Sequence, residues 1–307
     1  MSTQVKAVFL SAALAATLSA AAIEAAAANP KPLRVISEQT AGGFTFPESA
    51  AYDPKAKVLY VSQFGGTELK PAEKDGQGKI SKVSLDGKVL EERFLPAAGE
   101  TMNKPKGIWV QGNRLWVTDI DVVWIFDLKT RKGRKLELTG ITFANDPTVM
   151  GKSLYVSDNR ADRIYRVEPA DFLNAKENPQ ISIVLAGRSV YPNGLYPGKG
   201  GELLIVGFQS PKEPRGIYSL SKDGELKELA KAVGRVDGIY RMKDGSLLAT
   251  EWNSGSLFRW SEKGGQEKLI SGLKGPADFA VSESGKGLTV FVPDLPGSQL
   301  RIVKLGR

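Results

Sequence analysis

The chain has 307 residues, of which 41% are hydrophobic and 25% charged, with a net charge of +8, so it is long and apolar enough for a large core. It contains no cysteine, which excludes disulfides, thiolate metal sites and cysteine nucleophiles. It contains no histidine, which excludes Ser-His-Asp triads, histidine-ligated zinc or haem, and a histidine general base.

Residues 1–28 have the pattern of a secretory signal peptide. Lys6 is the positive residue before an Ala/Leu-rich apolar run at 7–23, and three alanines at 26–28 form a small-residue cleavage site. An uncleaved membrane anchor is the alternative, but the run is short and rich in alanine. We therefore expect a periplasmic or secreted mature protein with no membrane contact after cleavage.

Residues 29–307 contain a short motif that returns along the chain, each time before an apolar strand. The motif is centred on six residues, which we call the ring positions: Glu48, Lys106, Asn145, Asn193, Asp237 and Asp278. They are 58, 39, 48, 44 and 41 residues apart. A repeat of this length built from short strands is typical of a propeller blade. The sequence therefore predicts an all-β, single-domain, six-bladed β-propeller over residues 29–307.

Two apolar strand segments follow each ring position. In chain order they are 58–62 and 80–84, 115–118 and 123–126, 154–157 and 163–167, 203–206 and 216–220, 246–250 and 256–260, and 288–292 and 299–304. The sixth blade ends before a fourth strand, and the apolar segment 33–37 precedes the first blade. We expect 33–37 to supply the missing strand and close the ring, because closure removes an exposed sheet edge.

The ring positions should lie at one height around the propeller axis, and five of the six carry oxygen ligands. Glu48, Asn145, Asn193 and Asp237 would converge on the central channel as the ligands of one divalent cation. Calcium suits carboxylate and amide oxygens best, and Mg²⁺, Mn²⁺ or Zn²⁺ are alternatives. Taken singly, each of these residues would more simply be a turn residue, so the prediction depends on their shared place in the repeat.

These motifs resemble the gluconolactonase and senescence-marker-protein (regucalcin-like) family. The similarity lies in an early Glu48, then Asn-Asp at 145–146, Asn-Gly-Leu at 193–195 and Asp-Gly-Ile at 237–239, and it extends over the whole mature chain. Where the family has Glu-Gly-Pro, this chain has Glu-Ser-Ala at 48–50, which is more similar to a secreted bacterial branch.

The resemblance implies a six-bladed propeller with one divalent cation in its channel and sugar-lactone hydrolysis as its activity. It also implies that Glu48, Asn193 and Asp237 are metal ligands and that Asn145 lies beside the metal and the substrate. For this chain we expect a metal-dependent hydrolase of a lactone or related ester. The cation would polarise the carbonyl while a carboxylate acts as base, Asp237 in the first place and Asp146 in the second.

Two further features concern the substrate. Lys106, the one basic ring position, would bind a substrate carboxylate or phosphate together with Asn145; a merely solvated or salt-bridged lysine is the alternative. Loop residues expected at the mouth of the site are Asp119, Asp121, Asn159, Gln209 and Trp252, and the loop at 63–79 would be either a lid or a plain insertion.

A second hypothesis from another class is a non-catalytic periplasmic propeller that binds a ligand or protein and holds a structural calcium. The basic run at 129–135 fits a solvated hairpin turn, so we expect no nucleic-acid partner. The expected partner is a small-molecule substrate, and the expected assembly is a monomer.

Overall fold

The computed structural model describes residues 32–285 and 287–306. The predicted signal peptide, residues 1–28, lies outside the described residues. Within them the chain forms six four-stranded antiparallel sheets arranged as the blades of a propeller. The predicted all-β, six-bladed fold is confirmed.

The strands of the described residues follow one another with almost no other regular structure. They are β1 (Arg34–Ala41), β2 (Pro47–Asp53), β3 (Val58–Gln63), β4 (Lys79–Val83), β5 (Val89–Leu95), β6 (Pro105–Gln111), β7 (Arg114–Asp119), β8 (Val122–Asp127), β9 (Gly133–Glu137), β10 (Ala144–Met150), β11 (Ser153–Asp158), β12 (Arg163–Glu168), β13 (Gln180–Ala186), β14 (Pro192–Pro197), β15 (Leu203–Gly207), β16 (Arg215–Leu220), β17 (Leu226–Gly234), β18 (Val236–Arg241), β19 (Leu247–Glu251), β20 (Ser256–Ser261), β21 (Gly265–Ile270), β22 (Ala280–Ser284), β23 (Gly287–Asp294) and β24 (Gln299–Gly306). A 3₁₀ turn covers Lys199–Gly201. None of the helical structure described has the length and apolar character needed to cross a membrane.

Five blades are formed by four consecutive strands, and the sixth is completed from the other end of the chain. Its order is β1-β24-β23-β22, so the first strand pairs with the last. Arg34 lies opposite Gly306 and Ala41 lies opposite Leu300, in antiparallel register. The predicted closing strand is therefore confirmed, although it begins at Arg34 and runs on to Ala41.

The core is a ring of layers between neighbouring blades, because the two faces of each sheet pack on the next sheet. Leu59 of the first blade packs with Phe291 of the sixth, for example, and both are fully buried. Trp116 of the second blade packs with Leu154 of the third in the same way. Each such side chain contributes about 1.5–3 kcal/mol by leaving water, so these layers hold the inner strands, and the ring positions on them, around one channel.

Candidate functional site

Five ring positions occupy the second residue of an inner strand, where the pairing with the next strand is irregular. Glu48 lies at such an irregularity between Pro47 and Ser49, and Asp237 lies within another between Val236 and Ile239. The same shift occurs at Lys106, Asn145 and Asn193. A bulge of this kind changes the direction of a side chain, and here it occurs at the position where a blade begins beside the axis.

The residue after each ring position contacts the neighbouring blade. A Cβ on Gly194 would overlap the carbonyl oxygen of Asp237, and a Cβ on Gly238 would lie 2.7 Å from the ring of Phe279. At the same place in the first blade, Ser49 donates a 2.6 Å hydrogen bond to Asp278. In four blades this residue is small (Ser49, Gly107, Gly194 and Gly238), because the next inner strand passes within contact distance.

Hydroxyl groups on the second strand of several blades join neighbouring blades. Ser157 accepts a 2.9 Å hydrogen bond from the Asp146 backbone N–H and donates a 2.7 Å bond to the Asn193 carbonyl. Thr250 makes the equivalent pair of contacts with Gly238 and Ala277. The role of these two residues was not predicted, although each hydroxyl lies 12 or 13 residues after a ring position in the sequence.

The structure brings most of the predicted site residues to one cavity of about 380 Å³ at the start of the inner strands. All four predicted metal ligands and Lys106 line this cavity: Glu48, Lys106, Asn145, Asn193 and Asp237. Its walls are aromatic and aliphatic, formed by Phe64, Leu69, Pro71, Phe143, Phe208, Trp252 and Leu295. Five of the six ring positions therefore share a single space, as their repeat register predicts.

Several oxygen atoms of this cavity are buried and receive no hydrogen bond from the residues that the structure describes. They are Glu48 Oε2, Asn159 Oδ1, Asn193 Oδ1 and Asp237 Oδ1. Buried acceptors without donors cost free energy unless a ligand satisfies them. This donor set, all oxygen and partly anionic, fits a hard divalent cation. Asn159 joins the set as a candidate that the sequence analysis placed only at the mouth.

No group of three or more Asp or Glu side chains suited to a metal ion occurs within residues 32–285 and 287–306. The predicted ligand set does not need one, because two of its four members are amides. The identity of the cation and its binding stay predictions.

Burial perturbs the charged groups of the cavity strongly. Burial, and then the charge of Asp278, raises the pKa of Asp237 to about 7. Burial, and then the charge of Asp237, raises the pKa of Glu48 well above its usual range. The Trp252 indole donates a 2.8 Å hydrogen bond to Asp237 Oδ2, which leaves Oδ1 as the unbonded oxygen.

Lys106 is buried deep in the cavity, with 1% of its surface exposed. Its Nζ lies 4.2 Å from the centroid of the Phe143 ring and donates a 3.2 Å hydrogen bond to the Lys104 carbonyl. Burial lowers the pKa of Lys106 to about 8, against the opposing charge of Glu48. No ion pair holds Lys106 within 4 Å among the described residues, so the salt-bridged alternative is not what the structure shows.

Asp146 and Asp278 do not line this cavity. They lie at a second, smaller cavity of about 150 Å³ formed by later residues of the inner strands, with Trp109, Tyr196 and Tyr240 around it. Asp146 accepts a 2.6 Å hydrogen bond from the Leu195 backbone N–H and so joins the third blade to the fourth. Burial raises the pKa of Asp146 well above its usual range and that of Asp278 to about 6.

The loop after β3 covers part of the first cavity through Leu69 and Pro71. Its far end is held by an ion pair between Asp75 and the buried Lys104. Of the five residues expected at the mouth, only Asn159 and Trp252 line the cavity.

Two arginines that the sequence analysis missed also line the cavity, Arg160 and Arg235. Arg160 lies two residues after β11 and Arg235 lies one residue before β18, and neither belongs to a repeated motif. Their place in the cavity depends on packing against its aromatic walls.

No protein-family model matches this chain, and no curated protein matches it. Its structure is similar to that of a gluconolactonase from Xanthomonas campestris, with a TM-score of 0.63 and 16% identity over 89% of this chain and 91% of that one. It is also similar to a catalytically inactive His-to-Ala variant of virginiamycin B lyase from Staphylococcus aureus with quinupristin, with a TM-score of 0.58 and 17% identity over 90% of this chain and 100% of that one. At this level of identity the similarity shows the shared propeller fold.

Proposed function

We propose that this protein is a lactonase- or esterase-type hydrolase that works with one divalent cation in the first cavity, calcium being the best suited. The observation that carries the proposal is the set of buried acceptor oxygens without donors on Glu48, Asn193 and Asp237. These three residues come from three separate blades, so a local turn does not explain why their oxygens share one cavity.

In this proposal Glu48, Asn193 and Asp237 hold the cation, with Asn145 and Asn159 beside it. The cation supplies a Lewis acid that polarises the substrate carbonyl and stabilises the charge that develops on its oxygen. Asp237 would also act as the base for the attacking water; the Trp252 indole donates a hydrogen bond to its Oδ2, and its unbonded Oδ1 is the oxygen left for the cation.

Asp146 faces the second cavity and binds a backbone N–H, so the proposal assigns the base to Asp237 alone. The sequence-based role of Asp146 as an alternative base stays a prediction.

The two structural neighbours favour different chemistries. One is named as a gluconolactonase, and the other as a lyase whose inactive variant has lost a histidine. This chain contains no histidine. The hydrolase is therefore the better supported of the two, because it needs no histidine and its base and the ligands of its cation are present in this cavity. The location in the periplasm or outside the cell, and the monomeric state, also stay proposals that rest on the sequence.

Calcium titration of chelator-treated protein, followed by a panel of lactones and aryl esters with and without metal, tests the proposal. We expect calcium binding that is lost in Asn193→Ala, and turnover that requires the metal. Tight calcium binding without turnover on any member of the panel would favour the non-catalytic binding propeller. Absence of calcium binding would contradict the predicted ligand set itself.

A further inference from the structure

The basic side chains of the first cavity outnumber its acidic ones. Lys106, Arg160 and Arg235 line the cavity, against Glu48 and Asp237. A divalent cation held by the two carboxylates would neutralise them. Asp119 acts electrostatically on Lys106 and Glu251 on Arg235, but neither lines the cavity. The lining of the loaded cavity would therefore be positively charged, which attracts anionic ligands.

The two arginines are placed by aromatic rings rather than by acidic partners. The Arg160 guanidinium carbon lies 3.9 Å from the Phe143 centroid. The Arg235 guanidinium carbon lies 4.3 Å from the Phe208 centroid and 5.6 Å from that of Trp252. Stacking uses the face of a guanidinium and leaves its N–H groups free in the plane, where they match a carboxylate or phosphate.

Neither guanidinium forms a hydrogen bond or an ion pair with any residue in the part of the chain that the structure describes. For the exposed Arg160 this is ordinary. For Arg235 it is not, because its Nε is buried and donates to no described group. An unmade hydrogen bond of a buried charged group is costly, and a ligand anion in the cavity would satisfy it.

We propose that the substrate carries an anionic group, a carboxylate or a phosphate, which Arg160 and Arg235 bind in this cavity while Lys106 adds positive charge at its floor. This inference rests on the proposed function for the identity of the cavity as the substrate site. It narrows the substrate to an anionic compound, which a neutral sugar lactone is not.

The experiment measures binding and turnover separately. Calcium-loaded protein is titrated with benzoate, phenyl phosphate and the neutral isostere benzamide, and binding is followed by the fluorescence of Trp252, with Trp252→Phe identifying its signal. Arg160→Gln and Arg235→Gln are compared with Arg188→Gln, which removes the same charge from an exposed arginine outside the cavity. Hydrolysis of 4-acetoxybenzoate is compared with that of 4-acetoxybenzamide.

We expect benzoate or phenyl phosphate to bind at least about 10-fold more tightly than benzamide, and each cavity variant to weaken that binding by about 10-fold or more, as the loss of a hydrogen bond to a charged group does. The stronger of the two anions identifies the group. Arg188→Gln should bind as the unmodified protein does, and the anionic ester should have the higher kcat/KM.

Equal binding of the three probes, no binding of any, or equal effects of all three arginine variants would overturn the inference. If the anions bind through Arg160 and Arg235 but no ester is turned over, anion recognition stands and the hydrolase proposal fails. If both esters are hydrolysed equally and the probes bind equally, the hydrolase stands and anion recognition fails.

Discussion

Replacing Asp237 by Asn should stabilise the metal-free protein while abolishing its affinity for calcium. The cause is the burial of this carboxyl beside Asp278, which raises its pKa from 3.8 to about 7. A raised carboxyl pKa means that the folded state binds a proton more tightly than the unfolded state does. The stabilising contribution of the protonated Asp237 carboxyl is therefore fully present below about pH 4 and is lost as the pH rises towards 7.

The size of the effect follows from the pKa shift. Each pKa unit corresponds to about 1.4 kcal/mol, so the ionised Asp237 lowers the free energy of unfolding by up to about 4 kcal/mol at pH 8. At pH 5 the same carboxyl lowers it by only about 2 kcal/mol, because most of it is still protonated in the folded state. An asparagine has no charge to bury, and its oxygen can still accept the hydrogen bond of the Trp252 indole.

The assay is urea denaturation in the presence of chelator at pH 5 and pH 8. We expect Asp237→Asn to be more stable than the unmodified protein at both values, and the advantage to grow by about 2 kcal/mol between them. Asp223→Asn is the matched control: Asp223 is exposed in a hairpin turn, and Asn-Gly suits such a turn equally well. It retains Asp237 and should therefore follow the unmodified protein at both pH values.

Calcium should reduce this difference. At a concentration 100 times its Kd, a ligand adds about 2.7 kcal/mol to the protein that binds it, and Asp237→Asn should gain nothing, so the advantage of the variant at pH 8 should fall from about 4 to about 1 kcal/mol. The reasoning is refuted if Asp237→Asn is less stable than the unmodified protein at pH 8 in chelator, or if its advantage is the same at both pH values.

Three further predictions concern how the blades are joined. Gly194→Ala should lower the free energy of unfolding by about 1–3 kcal/mol, because the added Cβ would overlap a carbonyl oxygen of the next blade. Gly42→Ala is the control, since its Cβ would meet no atom within 4 Å, and it should not lower this free energy. Equal stabilities of the two variants in urea would contradict the prediction. Ser157→Ala should cost about 1–3 kcal/mol in the same assay, because a buried N–H and a buried carbonyl lose their partner; an unchanged midpoint would show that they find other partners. Lys104→Met should lower the free energy of unfolding by about 3 kcal/mol. It should also accelerate proteolysis of the loop after β3, because the ion pair between Lys104 and Asp75 is lost. Cleavage of the loop at the rate of the unmodified protein would show that the ion pair does not hold it.

The fold could be predicted because its signals are local and repeated. The ring positions recur at intervals of 39 to 58 residues, each before an apolar strand segment, and this shared register predicted that Glu48, Asn193 and Asp237 lie beside the axis. Consecutive strands of a blade pair antiparallel, so the position of its first strand predicts the order of the other three. The missing fourth strand of the last blade likewise predicted the pairing of β1 with β24.

The candidate site could be predicted only in part. Asn145 and Asp146 are adjacent in sequence, yet the first lines one cavity and the second lines the other. Asp146 stands where four of the other blades have glycine or serine, and it serves there to join two blades. A repeat pattern shows which residues are near the axis, but it does not show the direction that a bulge gives to each side chain.

The number of blades, the closing strand and the ring positions follow from the sequence alone, because these depend on periodicity and on pairing between neighbouring segments. The folded chain is needed to see that Arg160 and Arg235 share the cavity of Glu48 and Asp237, and that Asn159 adds an oxygen there. These residues lie in loops with no repeated pattern. The guanidinium of Arg160 stacks on Phe143 and that of Arg235 on Phe208 and Trp252, and these contacts form only when the loops that carry them are packed together in the fold.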